Sequence, residues 1–194
     1  YSIWYPNKMI KKIIIAVVIV GVVGTGLWFG KKYIPTGKST KGELKVISQP
    51  ASTVFVNGEN KGKIPVTLKV EPAEYTVKLV PDDEATTATF EQKVKVNAGM
   101  QTYVNVSMGA NSVTSAWEVV TLEKTKGSET EIAIFSQTDA SEVAVDGERK
   151  GTTPLSFTKI GNGSHEIKLT AAGFGERTIP IKVTPGFKLT ISAQ

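Results

Sequence analysis

A twelve-residue string occurs twice in this chain. Val54-Phe55-Val56-Asn57-Gly58-Glu59-Asn60-Lys61-Gly62-Lys63-Ile64-Pro65 returns as Val143-Ala144-Val145-Asp146-Gly147-Glu148-Arg149-Lys150-Gly151-Thr152-Thr153-Pro154. Two valines, an Asx-Gly pair, a glutamate, a Lys-Gly pair and a proline fall in the same order at the same spacing. Asn-Gly and Asp-Gly are the dipeptides that tolerate positive φ at both centres of a two-residue hairpin, so each string reads as strand, tight turn and returning strand. The turn residues Asn57, Gly58, Asp146 and Gly147 therefore have geometric roles, and the repeat divides most of the chain into two copies of one module.

The flanking residues extend the match. Leu44 to Ser48 alternates apolar and polar side chains as a half-buried strand does, and Ile132 to Ser136 corresponds to it. Tyr75-Thr76-Val77-Lys78-Leu79 is matched by His165-Glu166-Ile167-Lys168-Leu169, and Val94 to Gly99 by Ile181 to Gly186. Short strands at regular spacing predict an all-β chain with two small antiparallel sandwich-like modules, at 43–108 and 129–194. Modules of this size sit near the lower limit for an independent core, and inward valines, isoleucines and leucines must supply it at about 25 cal/mol per Å2 buried. Residues 109–128 read as an inter-module linker in which Val119 to Leu122 allows an extra short strand. Its one large aromatic, Trp117, suits either the crevice between modules or an exposed interaction residue.

The charge is unevenly distributed. The net charge is +5, yet seven lysines and no acid stand in the first 41 residues, leaving 16 basic residues against 18 acids beyond them, about −2. The positive excess flanks an apolar run, Ile13 to Phe29, which with its flank to Ile34 has the roughly 20 residues needed to cross a hydrocarbon core as a helix. In lipid an isolated strand leaves its backbone unsatisfied, so this run is expected to be a transmembrane helix at 13–34 despite its β-branched residues. A flank at 1–12 precedes it, and a linker at 35–42 opens with Pro35. Trp4, Tyr5, Trp28 and Tyr33 lie near its ends, as interfacial aromatics do. A cleaved signal peptide is the competing reading of Met9-Ile10-Lys11-Lys12, but Gly24 and Gly26 make a poor cleavage site. Lysines on the two sides nearly balance and do not assign a direction of insertion. Gly21, Thr25, Gly26 and Gly30 have the small-residue spacing that lets helices approach closely, which makes them helix-packing candidates.

Together these residues resemble tandem PEGA domains, whose pattern is a Val-x-Val-Asp-Gly hairpin, a Gly-x-Thr-Pro exit and a Gly-x-His/Tyr-x-Val strand. Val143-Ala144-Val145-Asp146-Gly147, Gly151-Thr152-Thr153-Pro154 and Gly163-Ser164-His165-Glu166-Ile167 carry the likeness. In the first copy Asn57 replaces the aspartate, Ile64 the threonine and Ala73 the glycine. Neither copy keeps the eponymous turn, having Gln49-Pro50-Ala51-Ser52 and Gln137-Thr138-Asp139-Ala140-Ser141 instead. The resemblance implies an all-β fold, often attached to a membrane anchor outside the cytoplasm, without assigned catalysis.

Catalytic chemistry has little to build on. Cysteine is absent, which removes disulfides and thiolate ligands, and His165 is the single histidine, so a multi-histidine metal site is impossible. Asp82-Asp83-Glu84 lacks the alternating spacing of a calcium loop and reads as a solvated turn. Asn105 and Asn162 open glycosylation triplets, the latter in a Gly-flanked loop. No basic groove with interleaved aromatics suggests nucleic acid. The expectation is a single-pass, non-enzymatic protein without cofactor or metal. It would display its modules outside the cytoplasm and act as a binding or scaffolding component of a membrane or envelope assembly. Its partners would be the bilayer and other membrane proteins, met through helix packing and strand edges. The alternatives are a surface-layer-like structural array or a cell-surface polysaccharide binder.

Overall fold

The structure is a computed structural model, and it describes residues 40–83, 88–138 and 140–194. The expected transmembrane helix, with Gly21, Thr25, Gly26 and Gly30, lies outside the described residues. Among those described, no helix is long and apolar enough to cross a membrane.

The first copy contributes β1 (Gly42–Gln49), β2 (Ser52–Val56), β3 (Glu59–Lys63), β4 (Val66–Val70), β5 (Ala73–Pro81), β6 (Phe90–Val96) and β7 (Gln101–Ser107). After a short 3-10 turn at Ser112–Thr114 comes β8 (Ala116–Lys124). The second copy gives β9 (Glu131–Ser136), β10 (Glu142–Val145), β11 (Glu148–Thr152), β12 (Leu155–Phe157), β13 (Gly163–Thr170), β14 (Arg177–Val183) and β15 (Phe187–Ala193). The all-β expectation holds for this region. The repeated strings form the hairpins β2–β3 and β10–β11, and φ is +51° and +82° at Asn57 and Gly58, +50° and +82° at Asp146 and Gly147. Those left-handed values are the ones a type I′ turn requires.

Two features depart from the sequence reading. First, the modules are not wholly antiparallel. β1 pairs parallel with β7, and β9 pairs parallel with β15. The intervening strands supply the long crossover that a parallel pair needs. Second, the extra strand allowed at Val119 to Leu122 forms as β8 and, rather than lying in a linker, belongs to both modules. It pairs antiparallel with β7 on one side and with β15 on the other, giving a seven-stranded sheet in the order β12-β9-β15-β8-β7-β1-β4. Two four-stranded sheets, β3-β2-β5-β6 and β11-β10-β13-β14, cover it.

The covering sheets lie on opposite faces. Trp117 and Val119 pack in the first core, whereas Val120 and Leu122 pack against the second. Successive side chains of a strand point to opposite faces, so β8 serves one core with its odd residues and the other with its even ones. Val104 and Ile191 are equivalent residues, each paired in parallel with the central residue of its module's first strand, Val46 or Ile134. On β8 they meet consecutive residues, Val119 and Val120. A strand has the symmetry of a two-fold screw, a half-turn with a one-residue step. That operation carries one module onto the other about β8.

Each core is built by the alternating residues that the sequence singled out. Leu44, Val46, Val54, Val77, Leu79 and Val104 fill the first, and Ile132, Ile134, Val143, Ile167, Ile179 and Ile191 the second, all of them buried.

Candidate interaction groove

The screw axis places equivalent residues of the two modules in equivalent surroundings, and their differences then become informative. Leu79 pairs with Phe90 in the first module, and Leu169 with Arg177 in the second, so Phe90 and Arg177 correspond. Phe90 meets Trp117 edge-on, with ring centroids 5.8 Å apart at 66°. Arg177 instead meets Glu118, the next residue of β8, donating from Nε at 2.5 Å and from Nη2. Asn105 donates to the other carboxylate oxygen at 2.6 Å. Glu118 is buried, at 4% exposure, and these bonds satisfy it. Burial first, and Glu118 second, hold the nearby Tyr103 phenol above its ordinary range against the opposing influence of Arg177.

On the face of the first core, β6 is the edge of its covering sheet and stands over β7 and β8. Beyond that edge no described residue covers this face of the seven-stranded sheet. The result is a groove of about 390 Å3, walled by Gln92, Lys93 and Lys95 of β6. Its floor is formed by Trp117, Val119 and Thr121 of β8, Thr190 and Ser192 of β15, and Phe135 of β9. Phe135 is 47% exposed, a large apolar surface with hydroxyls and amides around it. Lys95 reaches across to Glu123 of β8, Nζ to Oε2 3.4 Å, and closes one end.

Trp117 forms part of this floor but is itself buried, at 7% exposure. Its backbone exchanges two hydrogen bonds with Gln194, and its indole Nε1 donates to Gln194 Oε1 at 2.8 Å. Phe135 is the aromatic that faces solvent. The sequence reading passed it over because it stands in an alternating strand, where its parity, opposite to Ile132 and Ile134, was the available signal.

The hairpin turns hold a second constellation. Asn57 and Asp146 each accept a hydrogen bond from the next strand, Thr76 N–H and Glu166 N–H, both at 2.9 Å. In the first module Tyr75 donates to Glu71 O at 2.8 Å. In the second, His165 takes the tyrosine's place. Its Nε2 lies 2.9 Å from Gly161 O and its Nδ1 2.6 Å from Asp146 Oδ2. Both partners are acceptors, an arrangement that the protonated ring, with two N–H donors, satisfies in full. The bond to Asp146 raises the histidine pKa above its ordinary value, and the bond from His165 lowers that of Asp146. The paired change from Asn57/Tyr75 to Asp146/His165 was visible in the aligned repeats, but only the fold brings the two positions together.

Asp82 binds Lys63 at 3.0 Å and accepts from Thr53 Oγ1 at 3.1 Å, while Glu84 lies outside the described residues. Asn105 is committed to Glu118 within β7, and Asn162 is exposed just before β13. Among the described residues no cluster of three or more histidine, aspartate or glutamate side chains is placed to hold a metal.

Two small repeated β-modules that share one strand make this a tandem of all-β domains. Comparison with protein families gives the class its name: the PEGA domain model matches residues 41–111 and 129–194. The chain belongs to the PEGA-domain family, with two copies in tandem. A comparison with curated proteins found no match.

Proposed function

We propose that this protein is a membrane-anchored, non-enzymatic binding or scaffolding protein, with its two PEGA domains outside the cytoplasm as part of a membrane or envelope assembly. The observation that carries the binding reading is the groove between β6 and the uncovered face of β8, β15 and β9, with Phe135 presented in it. Exposed aromatic surface ringed by polar groups is the usual composition of a recognition site. The shared strand β8 supports the scaffolding part, because it joins the two modules by hydrogen bonds along both edges rather than by a flexible tether. The apolar run at 13–34 with its lysine flanks supports the anchor, and the linker at 35–42 is short enough to keep the first module near the bilayer. At roughly 3.3 Å per extended residue it reaches a few tens of ångströms at most.

The test is recovery of the full chain from gently solubilised membranes, with cross-linking beforehand. A defined heterologous protein that co-purifies supports the reading. A ladder of self-adducts with no other protein replaces it with a structural array, and protease protection in intact cells reports the side of the membrane.

A second reading rests on the same aromatic. Phe135 beside the amides of Gln92 and Gln137 resembles a sugar-stacking platform, which favours a polysaccharide chain as an alternative ligand. Retention on immobilised envelope polysaccharide that is lost in Phe135→Ala separates it from the first.

A further inference from the structure

The two exposed edges that stand over the shared sheet, β6 and β14, are equivalent by the screw axis but chemically different. In the first module Asn57 N–H donates to Thr76 O at 2.9 Å, and Thr76 N–H donates to the Asn57 side chain. The backbone of Thr76 therefore faces β2. Thr76 pairs with Lys93 across β5–β6, and hydrogen-bonded and non-hydrogen-bonded pairs alternate along an antiparallel ladder. Lys93 thus turns its N–H and C=O outward over the groove, and so does Glu91 two residues earlier. Neither has a partner among the described residues. In the second module Asp146 N–H donates to Glu166 O at 3.0 Å, and Glu166 pairs with position 180. That position is Pro180, which has no N–H to offer. Proline at an outward edge position blocks strand addition. One edge is closed at this position, and its equivalent is open at Glu91 and Lys93, while the next outward carbonyl, that of Lys95, accepts from Thr102 Oγ1 at 2.6 Å.

The geometry points to β6 as an acceptor strand for an extended segment of a partner protein, apolar on one face and acidic on the other. Such a segment would lie about 4.8 Å from β6 and about 10 Å above the shared sheet, continuing the first covering sheet by one strand. Its inward side chains would land on Phe135 and Val119, and its outward ones beside Lys93 and Lys95, exposed cations whose long contacts to Glu74 (3.7 Å) and Glu123 (3.4 Å) a carboxylate of the segment would supplement. Sequence-independent backbone bonds with alternate side chains read by a surface are the mechanism of β-strand addition.

A lone strand fits here, and symmetric pairing of β6 with the β6 of a second copy does not. A second copy offering its own β6 would bring its seven-stranded sheet beneath that strand, into the space already filled by β15 and β9. The inference rests on the binding reading of the groove proposed above.

The experiment uses the full chain in mild detergent and a fluorescent ten-residue peptide alternating valine and glutamate. A peptide of the same composition, with its valines and glutamates in two blocks, serves as control. Anisotropy is expected to show binding of the alternating peptide, at least tenfold tighter than the control, with slowed hydrogen exchange in 90–96. Lys93→Pro, which copies what the molecule itself places at 180, is expected to weaken binding at least tenfold with an unchanged melting temperature. Phe135→Glu leaves the backbone intact and is expected to do the same, which keeps the test valid if the proline variant fails to fold. Absence of binding, equal binding of the two peptides, protection of a different edge, or unaltered affinity in a folded variant each overturns the proposal. A negative titration together with a protein partner recovered from membranes places that partner elsewhere and leaves the scaffold reading standing.

Discussion

Arg177 reaches the carboxylate of Glu118 at the position where its counterpart in the first module, Phe90, packs against Trp117. An ion pair in one copy thus replaces an aromatic pair in the other, on consecutive residues of the strand that both share. The two pairs differ in what their disruption leaves behind. Removing an aromatic ring leaves a cavity, whereas removing Arg177 leaves a buried carboxylate with only Asn105 to answer it.

Arg177→Met is therefore expected to destabilise the fold by about 3 kcal/mol, the cost of orphaning one member of a buried pair. Glu118→Leu combined with Arg177→Met is expected to recover most of that loss, because both desolvation penalties disappear together. Urea denaturation of the three proteins checks this, and a double variant as unstable as the single one would contradict it.

Because β8 closes both modules, they are expected to unfold as one cooperative unit. Ile134→Ala, in the second core, is expected to cost about 2–5 kcal/mol, as buried large-to-small changes do. Native-state hydrogen exchange should then speed up at Val46 in the first core as well as at Ile132. Acceleration confined to 129–194 would show that the modules open independently.

The turn at Asn57 needs a left-handed residue and a side-chain acceptor for Thr76 N–H. Asn57→Ala loses both and is expected to cost about 2 kcal/mol, combining roughly 1–2 kcal/mol for a left-handed L-residue with the lost bond. Asn57→Gly loses only the bond and should cost less. Thermal melts of the pair rank the two contributions.

His165 and Asp146 couple stability to pH. The histidine pKa is raised by folding, so its contribution is full below the ordinary histidine value and fades as pH rises through the folded one. The aspartate pKa is lowered by folding, so its contribution is full above the ordinary carboxylate value and fades as pH falls through the folded one. The pair therefore supports the second module most between those two ordinary values, in mildly acidic solution. Replacing it by the first module's pair, Asp146→Asn with His165→Tyr, should flatten the pH dependence of the melting temperature. A variant whose profile still tracks the parent would remove the pair as its source.

Much of the fold was legible in the residues. The doubled hairpin string, with Asx-Gly at fixed places, located β2–β3 and β10–β11, and alternation located the core valines and isoleucines. The candidate site was less legible. Phe135 reads like any outward residue of a strand, and nothing near it in sequence indicates that β6, some forty residues earlier, walls the groove above it. The role of β8 had one available signal. Trp117, Val119, Val120 and Leu122 put apolar side chains on both faces of a short run, the mark of a strand covered on both sides.

The sequence by itself determined that there are two copies of one small β-module and where their turns fall, because turn geometry and strand alternation are local properties of a few adjacent residues. Only the tertiary structure decided that the copies share a strand, cover opposite faces of one sheet, and leave β6 open where Pro180 closes β14. Those outcomes depend on which edges meet. Edge pairing is made by backbone groups that every residue except proline carries, so the local order of the other side chains does not reveal it.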